Sequence, residues 1–203
     1  HATWGVVGFI LFENKKELLE NLPESLPSYE NTKLNPYPDL EKIGKNEQDD
    51  PYHFGYSLVK KILDTKGMEI ASHSFSHFYC KEKNTNTDSF DSDLKASLTA
   101  LKRFGISPKS YIFCRNQYED SHLDILRQNG FKAFRGIEKN KIFDPKANRF
   151  FRFMRLMDSY LNFSGSNFSN PILSQGLINI PSSRFLRPAN KNIFESLRIK
   201  RIT

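Results

Sequence analysis

The sequence predicts an α/β fold with a mostly parallel sheet and helical crossovers. Three observations carry that prediction. Segments of strand character alternate with segments of helical character along most of the chain. The strand segments are short and solidly apolar, as expected of strands covered by helices. Glycines stand where the helical segments stop, at Gly67, Gly105 and Gly130. The pattern alone leaves an open sheet and a barrel as alternatives.

Residues 2–10 are apolar and rich in β-formers, and read as a buried strand. Residues 14–21 read as a short helix. Residues 22–52 are rich in Pro, Asn and Asp and show no period; such long excursions are often functional or mobile. A helix follows at 56–64, with Leu58, Val59, Ile62 and Leu63 apolar, and then a short apolar strand at 68–72. Residues 84–92 are polar and read as a surface loop. Residues 91–104 form an amphipathic helix with Leu94, Leu98 and Leu101 as its stripe and Asp91 as its cap. Strands are predicted at 110–113, 131–134 and 177–180, and helices at 122–129, 150–161 and 192–199. No internal repeat is present.

The length, 203 residues, fits a single domain over 1–203 with one sizeable core. Apolar residues make up 38% and charged residues 26%, an ordinary globular balance. The longest apolar run, residues 6–12, falls well short of the roughly 20 residues that span a bilayer, so no transmembrane segment is expected. The net charge of +7 raises the question of nucleic acid, but the cations are spread along the chain and no recognised nucleic-acid motif accompanies them. A solvated basic surface is the reading taken. Cations are densest near the C-terminus, at Arg184, Arg187, Lys191, Arg198, Lys200 and Arg201. Cys80 and Cys114 are too few for a disulfide framework and leave the redox compartment open. The chain opens on His1-Ala2-Thr3-Trp4, with no Met, no basic leader and a strand from its start, so upstream sequence is expected to be missing.

Chemistry concentrates in Ser72-His73-Ser74-Phe75-Ser76-His77, directly after a predicted strand. In an extended chain, residues four apart lie about 13 Å from each other. Two imidazoles sharing a zinc must each sit about 2.0–2.1 Å from it. His73 and His77 can therefore share a metal only if the chain turns after His73, and the small Ser74 and Ser76 are compatible with such a turn. The other reading is two unrelated histidines at a loop. Cys80 is a candidate third ligand, although a plain reduced cysteine is the simpler account. A second strand runs out into Cys114-Arg115-Asn116-Gln117. Arg115 there either orients a carboxylate through its fork or is a surface residue. His53, in a Pro/Asp-rich loop, and His122, opening a helix, read as exposed. Of the aromatics near the motif, Tyr52, Phe54, Tyr56, Phe78 and Tyr79, one is a candidate to stack on a sugar ring while the rest read as core.

Together these segments resemble the NodB-like polysaccharide deacetylases, carbohydrate esterase family four. The resemblance rests on Ala2-Thr3-Trp4, on His73-Ser74-Phe75-Ser76-His77 after a strand, and on Arg115-Asn116-Gln117 after the next. Phe134-Arg135-Gly136 and the stretch from Ile180 to Pro188 are similar to the branch found near surface-polysaccharide genes. The resemblance covers most of the chain, and its double-histidine motif is the specific part.

The resemblance implies a distorted (β/α) barrel of seven to eight strands, incomplete at both ends here. It implies a divalent metal, often zinc, held by two histidines and an aspartate; His73 and His77 match the histidines. Two histidines also suit cobalt, nickel or iron. Arg115 matches the arginine that steadies the catalytic carboxylate. The implied reaction is hydrolysis of an N-acetyl group on a polysaccharide or oligosaccharide, in the bacterial cytoplasm or cell envelope. Three departures qualify it. The family's adjacent aspartates, one a base and one a metal ligand, precede the Ala-Thr-Trp segment and are absent. Asp49-Asp50 is an adjacent pair on the wrong side of that strand, so the role does not transfer to it. The family's acid histidine lies near the C-terminal end, and no histidine follows His122. Cys114 stands where this branch usually has proline. A fragment cut at both ends and a non-catalytic glycan-binding relative both fit these departures.

Overall fold

The computed structural model describes residues 1–136, 149–161, 163–165, 170–182 and 195–202. Six strands make one sheet: β1 (Ala2–Val6), β2 (Met68–Ser72), β3 (Ser110–Ile112), β4 (Ala133–Gly136), β5 (Ile172–Ser174) and β6 (Leu177–Pro181), in the order β1-β2-β3-β4-β6-β5. The first four run parallel: Val6 pairs with Ser72, Ser72 with Tyr111, and Tyr111 with Phe134. The α/β class with parallel strands and helical crossovers is thus observed. The helices are α1 (Lys15–Glu20), α2 (Tyr56–Asp64), α3 (Thr87–Lys102), α4 (Asp120–Gln128), α5 (Arg149–Asp158) and α6 (Glu195–Ile202). The described chain divides into two compact units: 1–135 with 173–178, and 136–172 with 179–203. The first holds every residue of the histidine motif. In the second, the Asp158 carboxylate at the end of α5 accepts from the Ser164 amide at 2.7 Å and the Ser164 hydroxyl at 2.8 Å. Of the C-terminal cations, Arg184, Arg187 and Lys191 lie outside the described residues, as does most of the stretch beginning at Ile180.

Two apolar clusters hold the first unit. One gathers Val6, Leu11, Phe12, Leu18, Val59, Ile70, Phe75 and Leu101. The other gathers Phe78, Phe90, Leu94, Tyr111, Phe113, Leu126 and Phe134. Each such side chain contributes about 1.5–3 kcal/mol by leaving water. The motif loop after β2 sends Phe75 into the first cluster and Phe78 into the second. Both ends of that loop are therefore pinned in core, with the histidines between and beside them.

The structure corrects several expectations. The first strand ends at Val6, and Gly8–Leu11 is a 3-10 turn. Residues 2–5 are exposed, and β1 lies at one edge of the observed sheet. The stretch 22–52 carries two 3-10 turns, Thr32–Leu34 and Tyr37–Glu41, and buries Tyr29, Tyr37, Leu40 and Ile43. It is a packed segment; its polar composition hid anchors too widely spaced to show a period. Helix α3 starts at Thr87 with Asn86 as cap, whose side-chain oxygen accepts from the Ser89 amide at 2.8 Å. Most of the predicted 84–92 loop is therefore helix, and Asp91 lies inside α3. Strand β5 was not predicted; it joins β6 through Gln175 and Gly176, both at positive φ, the pairing that tight hairpins require. His122 is buried, only 4% exposed, against the Phe90 ring, and its Nδ1 accepts from the Glu119 amide at 3.2 Å in a capping box that starts α4.

One glycine is indispensable to the motif loop. A Cβ on Gly8 would lie 2.5 Å from Cδ2 and 2.8 Å from Cα of Phe75. The close approach lets the Gly8 amide donate to Ser74 O at 2.9 Å and the Phe9 amide to Phe75 O at 3.0 Å. Gly8→Ala is expected to lower stability by about 1–3 kcal/mol, the usual cost of overpacking. A urea unfolding midpoint unchanged by the substitution would contradict this packing.

Candidate metal centre

The site stands at the C-terminal ends of β1, β2 and β3, where parallel α/β folds place their chemistry. His73 follows β2 directly, and its amide donates to Val6 O at 2.9 Å, continuing the ladder for one residue. The chain then turns. Ser74 adopts φ 65°, and His77 closes the turn at φ 60°. The turn that a shared metal would require is present: the His73 and His77 rings meet edge to face with centroids 4.8 Å apart.

A buried carboxylate shapes this turn. Asp93, on α3 and fully shielded from solvent, accepts from the Phe75 amide at 2.6 Å and the Ser76 amide at 3.1 Å. It also accepts from the Ser76 hydroxyl. Burial raises its carboxyl to about 6, and the donors from Ser76 and Phe75 pull in the opposite direction. The Ser74 hydroxyl accepts from the Phe78 amide at 2.7 Å, fixing the far side of the loop.

The strand beside β2 supplies the remaining parts. His73 Nδ1 lies 2.7 Å from Ile112 O, a bond that places the proton on Nδ1 and leaves the Nε2 lone pair free. That Nε2 lies 3.9 Å from Cys114 Sγ. One donor atom each from His73, His77 and Cys114 falls within 4.8 Å of the others. Burial first, then the Arg135 charge, lowers the His73 pKa against the Ile112 bond; burial, His73 and Arg115 lower that of His77. Both rings are thus biased to the neutral form that ligates metals. Burial pushes the Cys114 thiol up to about 12, with a Ser74 hydrogen bond pulling it back.

The residues fit a divalent metal of borderline softness. Two imidazoles and a sulfur are donors that zinc accepts, at about 2.0–2.1 Å and 2.3 Å respectively. One histidine already has its outer nitrogen anchored on a carbonyl, the usual outer-shell arrangement for a ligand.

Arg115 and Asn116 both take left-handed backbone, at φ 54° and φ 52°. Such conformations in non-glycine residues cluster at functional sites. The exposed Arg115 lies over the Tyr79 ring, 4.4 Å from its centroid, and donates to Glu82 Oε1 at 3.0 Å. Tyr79 in turn meets the His77 ring at 5.1 Å. Sequence reasoning thus brought His73, His77 and Arg115 to one place, and the structure joins them through Tyr79.

Other expectations fall away from the site. Cys80, a candidate third ligand, is buried in the second apolar cluster and takes no part in the donor group. The chain beyond the His77 turn carries it into the core. Phe54 and Phe78 are core, Tyr56 packs on Phe104, and Tyr52 is exposed. Asp49 and Asp50 close their own loop, accepting from the Lys45 and Gly44 amides at 2.9 Å each, and Asp50 also binds His53 at 2.7 Å. His53 is exposed, as expected. Sequence reasoning missed Cys114, Glu82 and Asp93. The parallel register was the available signal for Cys114: residues just beyond β2 and β3 must lie side by side.

No helix among the described residues is long and apolar enough to cross a membrane. Compared with known proteins, the chain matches no family model, no curated relative and no solved structure.

Proposed function

We propose that this chain is a metal-dependent deacetylase of N-acetylated sugars in a polysaccharide or its precursor, of the NodB-like kind, and that its parallel sheet is part of a distorted (β/α) barrel. One observation carries the reading: His73 and His77, four apart in sequence, come together at the C-terminal edge of a parallel sheet with Arg115 beside them. A bound divalent metal, zinc in this reading, would polarise the acetyl carbonyl and acidify a water. His73 presents Nε2 because Ile112 O holds its other nitrogen. Arg115 holds a carboxylate, and the one it meets is Glu82. Tyr79, half-buried between His77 and Arg115, is the aromatic best placed to bound a sugar.

A second reading, glycan binding without hydrolysis, is favoured by one fact: among the described residues, no Asp or Glu joins the donor group at the histidines. Both readings are tested with the zinc-loaded chain and oligomers of N-acetylglucosamine. Acetate release above a metal-free control is the expected result. Saturable oligomer binding with no acetate would establish the second reading instead, and neither acetate nor binding would contradict both.

A further inference from the structure

We propose that Cys114 is the third protein ligand of this centre, making it a His73–His77–Cys114 site for a thiophilic divalent cation. The inference rests on reading the two histidines as a metal pair, and it departs from the aspartate that the resemblance implies. Its geometry is independent of any activity. Cys114 follows Phe113 at the end of β3, and the left-handed turn at Arg115 and Asn116 leads the chain away immediately afterwards. The sulfur is thereby left 3.9 Å from His73 Nε2, inside a triangle whose edges do not exceed 4.8 Å. A tetrahedral zinc with bonds of about 2.0–2.3 Å sets ligand atoms roughly 3.3–3.7 Å apart. The triangle needs to contract by only about 1 Å at its widest edge. The site is also supported from behind: Ile112 O orients His73, and Ser74 stands beside the sulfur. Cys114 is 1% exposed, so its sulfur faces protein and the donor group while bulk solvent is kept away.

Three protein donors leave one tetrahedral position for water or substrate, the composition of a catalytic rather than a structural zinc site. A thiolate among them selects for softness. Zinc, cobalt(II) and cadmium are expected to bind, while magnesium, calcium and manganese, which prefer oxygen donors, are not.

Cobalt(II) tests this without any substrate. The full 203-residue chain, titrated with cobalt(II), is expected to develop a near-ultraviolet thiolate-to-cobalt charge-transfer band together with the visible bands of a four-coordinate ion. Cys114→Ser should abolish the near-ultraviolet band and weaken cobalt binding at least about 100-fold, a loss no smaller than that seen when only an outer-shell partner is removed. Cys80→Ser should leave the band in place. Cys114→Asp should bind cobalt with visible bands but no charge-transfer band. Visible cobalt bands in the unaltered chain without the charge-transfer band would overturn the proposal, as would a band unaffected by Cys114→Ser. The deacetylase reading fails separately: a thiolate band without acetate release keeps the ligand set and removes the enzyme, and acetate release without the band does the reverse.

Discussion

His73→Ala is expected to lower zinc affinity by at least about 100-fold while leaving the fold in place. The side chain does two things at once. Its Nε2 faces the donor group, and its Nδ1 is tied to Ile112 O at 2.7 Å across the gap between β2 and β3. Losing a direct ligand should exceed the 10–100-fold cost of losing an outer-shell partner. The ring is half-buried, so its removal costs the fold less than removal of a full core side chain would. Isothermal titration with zinc, alongside circular dichroism of the apo protein, separates the two effects. Unchanged zinc affinity in a folded variant would mean that His73 is a loop residue bonded to a carbonyl and nothing more.

Asp93→Ala is expected to have the largest effect on stability, about 3–5 kcal/mol, and to abolish metal binding as a consequence. The substitution strands three donors in the interior: the Phe75 and Ser76 amides and the Ser76 hydroxyl. Each unsatisfied buried donor costs about 1–3 kcal/mol, and three are left without their acceptor. Those donors belong to the turn that brings His77 back to His73, so the centre loosens with the fold. The pH dependence has a separate cause, the burial of the carboxyl. Burial holds the Asp93 carboxyl at about 6 in the folded chain, above its ordinary 3.8. A raised acid pKa means that this group's contribution to stability is full below about pH 4 and is lost as pH rises through about 6. Urea unfolding across that window should show the fall in the unaltered chain, and Asp93→Asn should flatten it. A denaturation midpoint unchanged by Asp93→Ala would contradict this view of the turn.

The sequence made the parallel α/β class legible because helices α2, α3 and α4 each run out into a glycine and strands β2 and β3 are short apolar runs between them. The histidine turn was legible for a different reason: a four-residue spacing after a strand permits a shared metal only in a bent chain. What patterning did not convey is what lies beside what. Cys114 looked like a minor change at a strand end, because its proximity to His73 depends on the pairing of β2 with β3. Nothing in the apolar patterning of 91–104 singles out Asp93, and only the docking of α3 under the motif loop makes it a buried acceptor. Tyr29 lay in a stretch that read as loop, yet its hydroxyl accepts from the Tyr79 amide at 3.1 Å beneath the site. His122 misled in the opposite direction, since a histidine opening a helix commonly lies in solvent, whereas here its ring packs on Phe90.

The account turns on whether His73 and His77 hold a metal together, and zinc stoichiometry by equilibrium dialysis tests that most directly. The unaltered chain is predicted to retain one zinc per molecule after exhaustive dialysis, and a folded His73→Ala, His77→Ala double variant to retain none. Equal zinc in the two proteins, or none in either, would contradict it.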